Sequence, residues 1–214
     1  MLGGPAVWSQ DRQIKILRKP LMKNTLLPTL LLLSASAPAL AGSAKDDVSK
    51  PLKTVVQSVR YGKDVLALKN FAGEEQGKGL LGEDWAKGSE AQRKEFVSLF
   101  HTLFAKIAFP KFRKDFEILD AVLYDEPKVN GDRAEMTSTI LINHPLKKQV
   151  LKVKYQLIGD KAGWRVVYVA VLGDSMLKGI REDQIIPIMK EGGWDNLLKL
   201  MREKAKELES IPLK

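Results

Sequence analysis

Cysteine does not occur in this chain. Its absence excludes disulfides, zinc–thiolate clusters, iron–sulfur sites and thiol nucleophiles. Histidine is almost as scarce: His101 and His144 are the two present, and two isolated imidazoles make no metal site. Aromatic residues amount to 7%. Lysine and arginine are scattered, not gathered in a stripe with those aromatics, so no nucleic-acid footprint is present. Nowhere does an apolar run reach the ~20 residues that a membrane-spanning helix needs. No cofactor is expected.

What is present starts near the beginning. Met22 to Ala41 reads MKNTLLPTLLLLSASAPALA. Lys23 is followed by an apolar stretch from Leu26 to Leu33 and then by small residues ending in Ala39-Leu40-Ala41. A charged start, a short greasy middle and an A-x-A site are the parts of a cleavable secretory signal. Pro28 and Pro38 bracket the stretch and argue against a buried helix. The expectation is therefore an upstream leader plus signal peptide over 1–41, with Met1–Leu21 an upstream mis-start or long n-region. A single exported domain follows over 42–214, beginning at Gly42. The leader holds five basic residues (Arg12, Lys15, Arg18, Lys19, Lys23) and one acid (Asp11), so its removal lowers the formal charge from +9 to +5. That modest balance permits attraction to head groups or an acidic partner without requiring either.

Within the exported domain, Gly42–Lys50 reads as a polar, mobile start. Leu52, Val55, Val56 and Val59 fall at helical spacing and stop at Tyr61-Gly62. Asp64–Phe71 adds a turn or two, and the glycine-dotted stretch 73–79 is open between loop and weak helix. The strongest helix begins at Ser89, where Ser89-Glu90-Ala91-Gln92 forms a capping box. Phe96, Leu99, Phe100, Leu103, Phe104 and Ile107 lie on one face of it, and Pro110 marks its expected end.

From Phe116 the period changes to two. Phe116–Glu126, Asp132–Asn143, Gln149–Gly159 and Gly163–Leu172 read as strands, separated by short turn-forming segments that allow only antiparallel neighbours. Leu151, Val153, Tyr155 and Leu157 alternate with Lys152, Lys154 and Gln156, giving the third strand one dry and one wet face. The fourth is apolar on both sides, with Trp164, Val166, Tyr168 and Ala170 against Val167, Val169 and Val171. Such a strand is covered on both faces. Two helices close the chain. Asp174 or Ser175 caps the first, which carries Met176, Leu177, Ile180, Ile185 and Ile188 with Pro187 a kink or stop. The second puts Trp194, Leu197, Leu198, Met201, Ala205 and Leu208 on one side after Gly192-Gly193. The fold class expected is α+β: a four-stranded antiparallel meander packed against N-terminal and C-terminal helices, with an apolar cavity between them.

One motif invites an enzymatic reading. The strand ending in Gly173-Asp174-Ser175 resembles the first block of the GDSL hydrolases, in which that serine is the nucleophile. Serine chemistry needs an imidazole base and a carboxylate to orient it. No histidine follows Ser175. Ser175 and Asp174 read instead as helix caps, and no catalytic residue is assigned. His144 beside Pro145 reads as a turn residue. Lys147, Lys148, Lys152 and Lys154 read as a solvated hairpin face, with docking to acidic partners or head groups as the alternative.

Two blocks carry a sharper resemblance. One is Gly163-Trp-Arg-Val-Val-Tyr-Val-Ala-Val-Leu-Gly-Asp-Ser-Met176, with Arg181 and then Glu191-Gly-Gly-Trp-Asp-Asn-Leu-Leu. The other is Leu81-Gly82-Glu-Asp-Trp85 followed by Ser89-Glu-Ala-Gln-Arg-Lys-Glu-Phe96. Together they resemble the MlaC-like periplasmic phospholipid shuttles of the lipid-asymmetry pathway, also called the toluene-tolerance auxiliary family. Ile180, Gln184 and Pro187 depart from the family pattern. The resemblance implies a periplasmic carrier that encloses acyl chains between sheet and helices and leaves the head group to solvent. It also implies phospholipid as cargo, an inner-membrane ABC transporter complex with its MCE-type protein and an outer-membrane lipoprotein complex as partners, and a monomer.

Packing logic places the cavity where two bulky apolar faces oppose each other. On the sheet side the expected lining is Val167, Val169 and Val171 with Met136 and Ile140. On the helical side it is Phe100, Leu103, Phe104 and Ile107, with Met176, Leu177 and Ile180 near the mouth. The competing functions are a periplasmic adaptor or chaperone without lipid cargo, and an esterase using Ser175.

Overall fold

A computed structural model describes residues 41–144 and 147–213. The leader and signal segment, apart from Ala41, lies outside the described residues, as do Pro145 and Leu146 of the His-Pro turn. Among the described residues, seven α-helices and six strands follow in the order α1 (Ala41–Arg60), α2 (Asp64–Leu68), α3 (Gly73–Leu81), α4 (Asp84–Lys87), α5 (Glu90–Glu117), β1 (Leu119–Tyr124), β2 (Lys128–Asn130), β3 (Arg133–His144), β4 (Lys147–Asp160), β5 (Gly163–Val171), β6 (Asp174–Ser175), α6 (Met176–Ile180) and α7 (Ile186–Glu207). A π-helical turn, Arg181–Ile185, joins α6 to α7.

The α+β class stands, but the sheet has six strands, not four. Its order is β1-β3-β4-β5-β6 with β2 also on β3, and every pairing is antiparallel. The two additional strands are three and two residues long, too short to show a period of their own. β6 returns on β5 through Leu172 and Gly173, both at positive φ (54° and 92°). Two consecutive left-handed residues are what a tight two-residue hairpin needs to match strand twist.

Three helical expectations change. The polar start over 42–50 belongs to α1, because buried Val48 extends the seam of Leu52, Val55 and Val59 by one further turn. The stretch 73–79 is helical. Two of its glycines serve close approach: a Cβ on Gly77 would stand 2.3 Å from the Trp85 ring, and one on Gly73 would stand 2.4 Å from Val97. The long helix α5 runs through Pro110 to Glu117. An internal proline costs about 3 kcal/mol. Offsetting it, Phe112 and Phe116, beyond the point of expected termination, continue the packed face that Phe109 occupies just before the proline. The second half of α5 is also pinned, since Arg113 donates to the Asp64 carboxylate (2.6 Å) and to the Val59 carbonyl (2.9 Å).

The capping box forms as expected. The Gln92 amide donates to Ser89 Oγ (3.2 Å), and the Ser89 amide donates to Gln92 Oε1 (2.8 Å).

Helix α1 serves two cores. Val48 and Leu52 pack on the sheet with Ala134, Met136, Val153, Tyr155, Leu157 and Val166. Val55 and Val59, further along the same helix, pack with Ala67, Ala105, Phe109 and Phe104. Phe71 belongs to both groups and is bridged to Val166 of β5. α5 rests on α1, α2, α3 and α7.

Candidate functional site

The register of the sheet determines which side chains share its dry face. Met136 lies opposite Tyr155, and Ser138 opposite Val153. Tyr155 in turn lies opposite Val169, Val153 opposite Val171, and Leu157 opposite Val166. Residues opposite one another project to the same side. Toward β1 the face continues through Ile140 and Leu151, then Val122, Leu119 and Ile142.

That register overturns the expected faces of β5. The pairing shifts between Gln156 and Leu157, which leaves Val167 as an extra residue between Val166 and Tyr168. A bulge breaks the period of two. Val166, Val169 and Val171 therefore share the dry side with Trp164, although simple alternation separates Val166 from the other two.

Burial along this face is graded. Met136, Tyr155, Leu157 and Val153 lie beneath α1 and are buried. Val122, Ile140, Ile142 and Leu151 at the other end are only half-buried. One polar pair is set into the covered part: Ser138 Oγ and the Tyr155 hydroxyl are 2.9 Å apart, with Tyr124 tilted against Tyr155 at 6.4 Å. Burial pushes both phenols above the usual tyrosine range, so both are neutral hydroxyls. Lys53 Nζ sits 6.0 Å from the Tyr124 ring centre at the rim.

Of the residues expected to line a cavity, Met136, Ile140, Val169 and Val171 come together in the sheet-facing cluster. Phe104 belongs to the helical cluster and reaches the sheet side through Phe71, its edge-on neighbour at 6.0 Å. Phe100 is buried in a stack with Phe96 (6.0 Å) and Phe104 (5.9 Å). Leu103 is buried and Ile107 half-buried on the same helix. Met176, Leu177 and Ile180 are half-buried on α6, which packs against β5 and α3. Two recesses open elsewhere. One of about 230 Å³ is lined by Leu80, Leu81, Asp84, Ile185, Ile186, Met189 and Lys190. The other, about 360 Å³, runs along the polar side of α1.

Sequence reasoning placed Leu151 and Tyr155 on the dry side of their strand but outside the expected lining, and it missed Val122, Tyr124, Ser138 and Ile142 as members of this face. For β3 the signal was available, since Ala134, Met136, Ser138, Ile140 and Ile142 occupy alternate positions. The cross-strand partners were not available without the register.

Ser175 caps α6. Its Oγ accepts from the Lys178 amide at 3.0 Å. His101, the chain's helical imidazole, lies on α5 with Nε2 2.9 Å from Gln76 Oε1, and burial holds it below the usual histidine range. Ser175→Ala should therefore lower stability by about 0.5–2 kcal/mol and leave ligand binding unchanged, as read by urea unfolding and lipid content. Ester hydrolysis by the wild type that disappears in this variant would promote the serine to a nucleophile.

The model of the MlaC protein family matches residues 53–203. Among solved structures, the chain is similar to a phospholipid-binding protein from Ralstonia solanacearum, determined in complex with a phospholipid. The two superpose with a TM-score of 0.61 at 16% identity, over 78% of this chain and 98% of the other. No curated protein matches the sequence.

Proposed function

This chain belongs to the MlaC family, and from that premise we propose that it is a periplasmic lipid carrier, shuttling phospholipid between membrane complexes by enclosing acyl chains. The observation that carries the reading is the graded dry face. A sheet whose apolar side is half covered by its own helix, and half-buried for several rows beyond, retains apolar surface that a hydrocarbon chain can cover. Each methylene withdrawn from water contributes about 0.8 kcal/mol, so two acyl chains hold a lipid without any charged anchor. The Ralstonia protein of the same fold binds a phospholipid, which supports the same class of cargo here.

The acyl chains are placed over Met136, Ile140, Val169 and Val171, extended by Val122, Ile142 and Leu151. From α5, Phe104 reaches them through Phe71, while Phe100, Leu103 and Ile107 lie among the helices, and Met176, Leu177 and Ile180 close the β5 side. Transport between an inner-membrane ABC complex with its MCE-type protein and an outer-membrane lipoprotein complex gives such a carrier its two ends. The engagement of Ser175 in a cap favours carriage over ester hydrolysis.

Catalysed transfer tests the proposal. With donor vesicles containing a fluorescent phospholipid and unlabelled acceptor vesicles, the purified protein should accelerate transfer in proportion to its concentration. Transfer at the spontaneous rate would refute shuttling.

A further inference from the structure

The outer face of the sheet, opposite the dry one, is not uniformly polar. Ala121 of β1 lies opposite Leu141 of β3, and Leu141 opposite Val150 of β4, forming an apolar row across three strands. In the next row Leu123 lies opposite Thr139, and Thr139 opposite Lys152. Val150 is 58% exposed and Leu123 55%. Lysines border the patch on β4: Lys148 is exposed one row before Val150, and Lys152, one row after, donates to Thr139 at 2.6 Å.

Farther along this face the charges are neutralised. Lys154 Nζ stands 3.0 Å from Glu135, Asp125 accepts from Thr137, and Arg133 donates to Glu75 at 2.8 Å. Exposed aliphatics and lysines thus coincide at one end of the sheet. The same strands, on their other side, carry the half-buried Val122, Ile140 and Leu151.

We propose that Leu123, Leu141 and Val150, bordered by Lys148 and Lys152, form a docking surface for an anionic phospholipid bilayer. The proposal rests on the lipid-carrier reading above. Aliphatic side chains enter the boundary between head groups and acyl chains, while lysine ammoniums stay among the phosphates. Protein hot spots favour Trp, Tyr and Arg, none of which occurs in this patch. Docking here would hold the carrier at the membrane surface while the dry face, on the other side of the sheet, stays free to keep its cargo.

Sedimentation with vesicles tests it. The probes are vesicles of phosphatidylglycerol with phosphatidylethanolamine, against vesicles of phosphatidylcholine alone. The wild type should sediment with the anionic vesicles, less so as salt is raised, and remain in the supernatant with the zwitterionic ones. Lys148→Glu/Lys152→Glu and Leu123→Ser/Val150→Ser should each weaken binding on the order of tenfold or more, with unchanged circular dichroism. Wild-type protein that ignores anionic vesicles would overturn the proposal, and so would variants that bind as the wild type does. Loss in the lysine variant alone would also overturn it, pointing to the purely electrostatic contact that an acidic protein makes. Lipid content of the same preparations reports separately on the carrier reading, since these outer-face changes leave the cargo face intact.

Discussion

Phe96→Ala should destabilise the protein by about 3–5 kcal/mol, the range for deleting a fully buried aromatic ring. Phe96 is 0% exposed. Its ring is stacked on Phe100 at 6.0 Å and meets Trp85 and Trp194 edge-on at 6.3 and 6.0 Å. Geometries of this kind add about 0.5–1.5 kcal/mol per pair beyond area burial. The neighbours have little freedom to collapse into the space. Trp194 is fixed by a hydrogen bond from Nε1 to the Asp84 carbonyl (2.9 Å) and packs so closely on Gly88 that a Cβ there would stand 2.5 Å from its ring. The cavity term is therefore near its maximum, and α4, α5 and α7 lose their common contact. Urea unfolding should show a lower midpoint with unchanged slope. A loss below about 1 kcal/mol would mean that the aromatic group rearranges and does not hold these helices together.

Ile140→Glu should fold and yet lose lipid. Ile140 lies on the dry face where burial falls off, so in the free protein its carboxylate can turn to water. Acyl chains laid over that face remove the water, and an uncompensated charge under hydrocarbon carries a penalty of several kcal/mol. Lipid affinity should fall at least about a hundredfold, since each 1.4 kcal/mol is a factor of ten. Lys161→Glu, an exposed change in the β4–β5 turn, should keep wild-type lipid content. Phosphorus assay of the purified variants, alongside circular dichroism, reads both effects. Folded Ile140→Glu with wild-type occupancy would move the cargo off this face.

How far the sequence foretold this arrangement depended on the range of the interaction concerned. The Ser89 box and the Ser175 cap are closed within four residues, and both were legible. So were the three long strands, whose period and turn residues are local. Pro110 misled because its penalty is local while the packing of Phe112 and Phe116 and the Arg113–Asp64 ion pair, which offset it, are not. The polar start of α1 misled in the same way, since the partners of Val48 lie on the sheet. At the candidate site, the dry face of β4 was legible and that of β5 was not. The bulge at Val167 reverses the alternation of β5 for everything after it. Strand composition contains no sign of which residue is left unpaired, and the added contribution of Val122 follows only from cross-strand register.

Native mass spectrometry of the protein purified from a Gram-negative periplasm tests the central claim most directly. A carrier should give a species heavier than the polypeptide by the mass of one phospholipid, released on collisional activation as lipid ions with two acyl chains. The polypeptide mass alone, from protein that is folded and has never met detergent, would contradict a lipid-carrying face.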